Sequence, residues 1–311
     1  MSTFQANAYQ IPARPVHAPH PELLAELEKI RSAKSFDPAE YTSRKCASLL
    51  DYLKKHNLGC CVLSISGGID SSCVLGLLVR AQEMAEADPS HPFRKANGGR
   101  IIAVSQPIES TPEIYQRAFE VAKSFNIDPI CVDQTSEWRS LTAKVESEMK
   151  SELQGFSKSM FKSYMRTPVA FLLASSYRGV VIGTGNLDED GYLYYYCKFG
   201  DGAVDVGLIH DIHKSEVFKV GAYIGVPQSV LSAPPSADLA PNQTDEAEIG
   251  ATYDMVELVY NYIVNYSAEQ KKDFLDSLSP EARQQFDSES SIIQSIHERG
   301  RHKADLNPKN I

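Results

Sequence analysis

The sequence predicts an α/β fold, a doubly wound parallel sheet with helices on both faces, followed by a helical C-terminal part. Short apolar runs near 60–65, 100–106, 129–133 and 179–184 alternate with segments of helical spacing. Such alternation builds a parallel sheet. The runs are rich in Val, Ile and Cys with little polar alternation, as in strands buried on both faces. One run leads through a Ser/Gly loop into a helix, and ligands of such sheets bind beyond the carboxyl ends of the strands.

Residues 1 to about 21 are proline-rich and without periodicity, an extended arm. Pro21 to Arg31 reads as a first helix. Asp37-Pro38 is an N-cap with Pro at the first helical position, opening a helix to about His56. Cys60 to Ile65 is the first strand, and Cys73 to Met84 an amphipathic helix behind its loop. Asp88 to Gly99, with two prolines and Gly98-Gly99, is a surface loop. Arg100 to Gln106 is the second strand, and Thr111-Pro112 opens another helix. Pro129 to Asp133 is the third strand. Trp138 to about Leu153 is a polar helix, Pro168 to Tyr177 an apolar one, and Gly179 to Thr184 the fourth strand. After Lys214 the pattern turns helical, at Tyr253–Tyr266, Ala268–Leu278 and Ser288–Gly300. An arm and helix (1–40) thus precede one domain (41–311).

Composition narrows the function. Hydrophobic residues are 42% and charged ones 23%, ordinary for a soluble protein. No apolar run approaches the roughly 20 residues of a membrane span, and no basic-then-apolar leader opens the chain. The net charge of −9 argues against a nucleic-acid binder. The six cysteines show no Cys-x-x-Cys spacing, which fits reduced thiols in a cytoplasmic protein.

The loop Ser66-Gly67-Gly68-Ile69-Asp70-Ser71 carries the chemistry. Two residues without Cβ let the backbone turn sharply and approach a ligand. The free N–H groups of the loop and helix start favour an anion. Asp70 is out of place in an anion site unless a metal ion lies between. A polyphosphate with Mg²⁺ satisfies every part, whereas an ordinary capped turn explains the serines alone. No Gly-Lys-Ser/Thr follows, so this is not a Walker A loop, and the Gly-x-Gly-x-x-Gly spacing is absent. The string resembles the pyrophosphate loop of the N-type ATP pyrophosphatases.

A second constellation follows the fourth strand. Asp188, Glu189 and Asp190 repel one another unless a cation offsets them, although a capped turn explains the segment equally well. Tyr192, Tyr194, Tyr195 and Tyr196 cannot all face one core, and most suit an interface. Lys198-Phe199-Gly200-Asp201-Gly202-Ala203-Val204-Asp205 then supplies charges for a polar ligand.

These blocks, with His213-Lys214-Ser215-Glu216-Val217, Pro235-Ser236-Ala237-Asp238-Leu239, Gln243-Thr244-Asp245-Glu246 and Ile249-Gly250-Ala251-Thr252-Tyr253-Asp254, resemble NAD synthetase in unbroken order. The resemblance runs from about residue 40 to the end and implies an adenine nucleotide alpha hydrolase-like fold. It implies a C–N ligase that adenylates the carboxylate of deamido-NAD with ATP, then displaces AMP with ammonia to give NAD. Carried over by motif, Ser64, Ile65, Ser66, Gly67, Gly68, Ile69, Asp70 and Ser71 hold the ATP phosphates. Thr184, Lys214 and Ser236 touch ATP, and Asp70 and Glu189 are magnesium ligands. Arg166, Lys198, Asp205, His302 and Lys303 hold the dinucleotide. Asp70 and Lys214 are catalytic, and Asp201 helps bind and deprotonate ammonium. Ile69 and Ser105 depart from the Gln and Arg frequent there in ammonia-dependent bacterial members. The resemblance also implies a homodimer with substrate near the subunit interface and His302-Lys303 as a lid. Glutamine-dependent members carry an amidase domain ahead of the synthetase. Only about 40 residues precede it here, so free ammonia is the expected nitrogen source. A thiolase of the same loop chemistry needs catalytic cysteines and a basic RNA face. A non-catalytic nucleotide-binding module has no need of Asp70, Glu189 and Lys214 together.

Overall fold

The computed structural model describes residues 15–110, 112–233, 235 and 244–305. Cys60–Ser64 (β1) is the central strand of a five-stranded sheet. Arg100–Ser105 (β2) and Gly179–Gly183 (β4) flank it, Ile130–Cys131 (β3) lies outside β2, and Val206–Gly207 (β5) lies outside β4. The order is β3-β2-β1-β4-β5 and every pair is parallel. β1 alternates between two cores. Cys61 and Leu63 face one, with Pro38–Lys55 (α2), Ile69–Ala85 (α3), Pro112–Ser124 (α4) and, beyond the sheet, Lys214–Ile224 (α7). Cys60 and Val62 face the other, under Ala170 and Ala174 of Gly155–Ser176 (α6), which follows Thr135–Met149 (α5). Both faces are apolar because both are covered.

Local signals explain most starts. Asp37 caps α2, its Oδ1 accepting from the Ala39 and Glu40 N–H groups, with Pro38 at the first position. α6 begins 13 residues before the Pro168 that the sequence suggests as its start. Its first half buries only Lys162 and Ser163 and is held by single contacts instead of a buried apolar stripe. Trp138 Nε1 donates to the Lys158 carbonyl, and Lys158 pairs with Glu146. β5 has two residues and no sequence signature; Asp205 fixes it, its Oδ2 accepting from the Val181 N–H at 2.8 Å.

A second core joins the N-terminal helix to the C-terminal part. Pro21–Lys34 (α1) buries Leu23 and Leu27 against Tyr253–Tyr260 (α10) and Pro280–Gly300 (α12), with Ala268–Ser277 (α11) beside them. Ser279 caps α12, which starts eight residues earlier than apolar spacing suggests; the Ser-Pro start was the missed signal. Gln228–Leu231 (α8) and Asp245–Ile249 (α9) are short. Arg31 locks α1 in place. Its Nε and Nη2 donate to both Glu257 oxygens, and Nη2 also donates to Asp254 at 2.6 Å. Burial pushes the Glu257 carboxyl up, but Arg31, with His213 and Ser215, holds it below its usual value. Arg31→Met strands a buried charge, and we expect a loss of about 3 kcal/mol in urea unfolding. A lowered native pKa stabilises above the unfolded value, here 4.5, and that contribution fades as pH falls through the native one. The deficit is therefore full at pH 7 and shrinks below pH 4.5; a deficit unchanged at acid pH refutes this account of Arg31.

Candidate active site

The sheet order reverses between β1 and β4, and a site forms at that switch point. Gly67 adopts φ +81°, a conformation that L side chains rarely take, so the turn after β1 needs glycine. Ser66 Oγ accepts from the Gly68 N–H at 3.2 Å and lies 3.2 Å from Ser71 Oγ. Ser72 Oγ donates to the Gly68 carbonyl. No side chain caps α3, so its first N–H groups keep no side-chain acceptor. Ile65 and Ile69 are buried in the first core and offer the site backbone alone. Ser64 Oγ accepts from Gln106 Nε2, and Gln106 Oε1 accepts from Gln134 Nε2. That chain ties the ends of β1 and β2 to the loop before α5. Sequence reasoning gave neither glutamine a role.

After β4 the backbone forms a π-helical turn, Leu187–Leu193, capped by Asn186. π-turns of this kind recur at functional sites. This one sends the three acids to different partners. Asp188, fully buried, accepts from His213 Nδ1 and from the Lys214 N–H, both at 2.7 Å, and so fastens the start of α7. Glu189 turns to Lys214. Asp190 packs on Gly185, where a Cβ would lie 1.8 Å from its Oδ2, so any larger residue at 185 must displace the Asp190 side chain. Burial, with Asp201, Glu189 and Asp70, raises the Asp190 carboxyl well above its usual value.

Lys214, the first residue of α7, is buried at the centre. Its Nζ donates to Asp70 Oδ2 at 2.6 Å and to Glu189 Oε1 at 2.8 Å. Asn186 Nδ2 donates to Asp70 Oδ1, and Tyr253 Oη donates to Glu189 Oε1. Burial opposes the ammonium, yet Asp70, Glu189 and Asp245 hold its proton far above the usual lysine value. Burial also opposes the charge on His213, and Asp188 more than offsets it, so His213 titrates above its ordinary value.

The structure thus joins Asp70, Glu189 and Lys214 at one point beside the Ser/Gly loop. Thr184 lies directly past β4, facing the same end of the sheet. Arg166 Nε donates to the Gln106 carbonyl, one strand away. Asp201 Oδ1 accepts from Ser163 Oγ and the Cys197 N–H. Lys303 Nζ donates to the carbonyls of Tyr194 and Tyr196, Lys198 Nζ to that of Asp305, and His302 Nδ1 contacts that of Arg299. The basic tail is therefore packed on the tyrosine stretch. Tyr192 meets Tyr260 edge-on and Tyr195 bonds Glu248, so these tyrosines find partners within the chain. Ser236 lies outside the described residues.

A family model described as NAD synthase matches residues 41–306. The chain belongs to that family. The NH(3)-dependent NAD(+) synthetase of Alkaliphilus metalliredigens is 31% identical over 253 residues, 79% of this chain and 88% of that one. Its counterpart in Mannheimia succiniciproducens is 32% identical over 250 residues, 79% of this chain and 85% of that one. These relatives make the chain a ligase of the NAD synthetase type. NMN synthetase from Francisella tularensis superposes with TM-score 0.69 at 27% identity, covering 88% of this chain and 99% of that one. NAD+ synthetase from Burkholderia pseudomallei gives 0.64 at 23% identity, covering 94% and 99%, a likeness of fold. The fold expected from the NAD synthetase resemblance is thereby borne out. No helix among the described residues is long and apolar enough to cross a membrane.

The NAD synthetase resemblance places Mg²⁺ at Asp70 and Glu189, and the donor set fits. Two carboxylates converge on a point already held by a positive charge, and among the described residues a buried Asp245 oxygen beside them has no partner. Among the described residues, no three acidic, His or Cys ligands converge on a metal position as they stand.

Proposed function

We propose that the chain amidates the nicotinate carboxylate of deamido-NAD with ammonia, through an acyl adenylate, and releases AMP and pyrophosphate. The observation that carries this reading is the Lys214 ammonium held between Asp70 and Glu189, beside the Ser/Gly loop. A carboxylate is a poor electrophile. Its oxygen attacks the α-phosphorus of ATP, the bond to pyrophosphate breaks, and the loop from Ser64 to Ser71 receives the leaving group. Lys214 offsets the charge that gathers at the α-phosphate, with Thr184 and Ser236 at the nucleotide. Ammonia then attacks the acyl carbon, the bond to AMP breaks, and Asp201 takes up the proton shed by ammonium. Bound Mg²⁺, held by Asp70 and Glu189, supplies Lewis-acid stabilisation of the phosphates.

Arg166, Lys198, Asp205, His302 and Lys303 hold the dinucleotide, the last two as a lid. Equal dinucleotide affinity after truncation before Arg301 refutes the lid. In this reading residues 41–311 form the synthetase domain, and α1, from the preceding 1–40, docks on it through Arg31. The chain acts in the cytoplasm as a homodimer, without nucleic-acid or membrane partners. Exposed Phe171 and Leu172 of α6, the latter 65% exposed, with Leu141, Val145 and Met149 of α5, support such an interface. A monomer in sedimentation at micromolar concentration overturns it.

A second reading keeps the chemistry and changes the substrate to the mononucleotide. The likeness to the protein named NMN synthetase favours it. One assay tests both: ATP, Mg²⁺ and ammonium with either nicotinate nucleotide. Stoichiometric AMP and NAD are expected. ADP in place of AMP overturns the mechanism, and faster amidation of the mononucleotide moves the substrate assignment. Glutamine as sole donor should give little product. Five of the six cysteines are buried, and burial pushes the Cys60 thiol up to about 11 and those of Cys46 and Cys197 to about 12. None of these five is poised as the thiolate that glutamine hydrolysis needs. Efficient glutamine use by the purified chain contradicts this.

A further inference from the structure

Asp245, the first residue of α9, is 6% exposed, yet among the described residues its Oδ1 has no hydrogen-bond partner. Its Oδ2 lies 3.2 Å from Tyr253 Oη. A phenol carries one proton, and Tyr253 Oη sits closer to Glu189 Oε1. Asp245 is therefore left nearly unserved beside Glu189, Lys214 and Asp70, where one ammonium faces three acids. A buried acceptor without a donor is destabilising and calls for an explanation.

The chemistry of a small divalent cation supplies one. Mg²⁺ is held by one or two carboxylates plus phosphates and keeps several of its waters. Those waters are strong donors, and a carboxylate behind the ligands fixes them. We propose that Asp245 is a positioning residue of the cation site, its free Oδ1 accepting a hydrogen bond from a water on the divalent cation that Asp70 and Glu189 hold. The inference rests on the reading of those two residues as the metal ligands. It gives the segment from Thr244 to Tyr253 a direct stake in metal binding: Asp245 behind the cation, and Tyr253 on Glu189.

The test is a Mn²⁺ titration of the full chain with a non-hydrolysable ATP analogue, free Mn²⁺ being read by electron paramagnetic resonance. Asp245→Leu, which keeps the branched shape and removes both acceptor oxygens, should weaken Mn²⁺ binding by about 10–100-fold. Its metal-free melting temperature should hold or rise, because an uncompensated negative charge is gone. A purely structural residue gives the opposite sign, so a lower metal-free melting temperature overturns the proposal. Mn²⁺ affinity within twofold of the unmodified chain overturns it too. A loss as large as that of Glu189→Gln makes Asp245 an inner ligand and overturns the water-mediated role. An unmodified chain that binds no Mn²⁺ removes the metal reading itself, and the inference with it. Should Asp245→Leu not fold, Asp245→Ala is read the same way.

Discussion

Lys214→Met is expected to lower the rate of AMP formation by about 10²–10³, the loss typical of one well-placed electrostatic donor in a dry site. The side chain keeps its unbranched stem, one atom shorter, and loses the ammonium. Two consequences follow from where that ammonium sits. The charge that, in the proposed mechanism, offsets the developing phosphate is gone, which acts on the chemical step. The counter-charge of Asp70, Glu189 and Asp245 is gone as well, which acts on stability. Removing one partner from a buried ionic cluster costs about 3–5 kcal/mol, so the metal-free protein should melt earlier. Mn²⁺ should then restore more stability to Lys214→Met than to the unmodified chain, because the cation takes the position the ammonium held. Single-turnover AMP formation and melting curves with and without Mn²⁺ read both effects. Turnover within tenfold of the unmodified chain sinks the assignment of Lys214.

How much of this was legible depended on how far the determining partner lay along the chain. The loop at 66–71 was readable because its requirements are local: a glycine at φ +81°, hydroxyls within five residues, and a helix that starts at once. The core strands were readable because burial on both faces makes a run apolar without help from neighbours. The three acids at 188–190 were readable only as a conflict. Repulsion points to an offsetting cation and a capped turn explains the segment equally well; the structure shows a π-helical turn, capped by Asn186, that separates them. That turn has no apolar periodicity of its own, and its partners His213 and Lys214 lie about 25 residues on. Asp245 and Tyr253 lie within the segments that carry the resemblance but have no role legible from sequence, because nothing local shows that α9 and α10 return to the turn after β4. The first half of α6 was invisible for a related reason: Trp138, Glu146 and Asp201 hold it from outside.

Asp70→Asn and Glu189→Gln should both lower adenylation by about 10²–10³, and they should differ in stability. Asp70 is hemmed by two donors. Asn186 Nδ2 reaches its Oδ1 at 3.0 Å, and Lys214 Nζ reaches its Oδ2 at 2.6 Å. An asparagine here has one oxygen and one NH₂, so either orientation sets donor against donor. Asn186 cannot flip away, because it is fully buried and its Oδ1 accepts from the Glu189 N–H. A buried donor left without an acceptor costs about 1–3 kcal/mol, and Asp70→Asn should lose that much. At Glu189 both donors, Lys214 Nζ and Tyr253 Oη, converge on one atom, Oε1. Glutamine keeps an oxygen there and loses only charge, so Glu189→Gln should fall by less than half as much. Urea midpoints of the two variants without metal, set beside their AMP rates, separate metal binding from scaffolding. Equal stability losses refute the donor geometry around Asp70, and near-normal AMP formation by either variant removes that residue from the cation site.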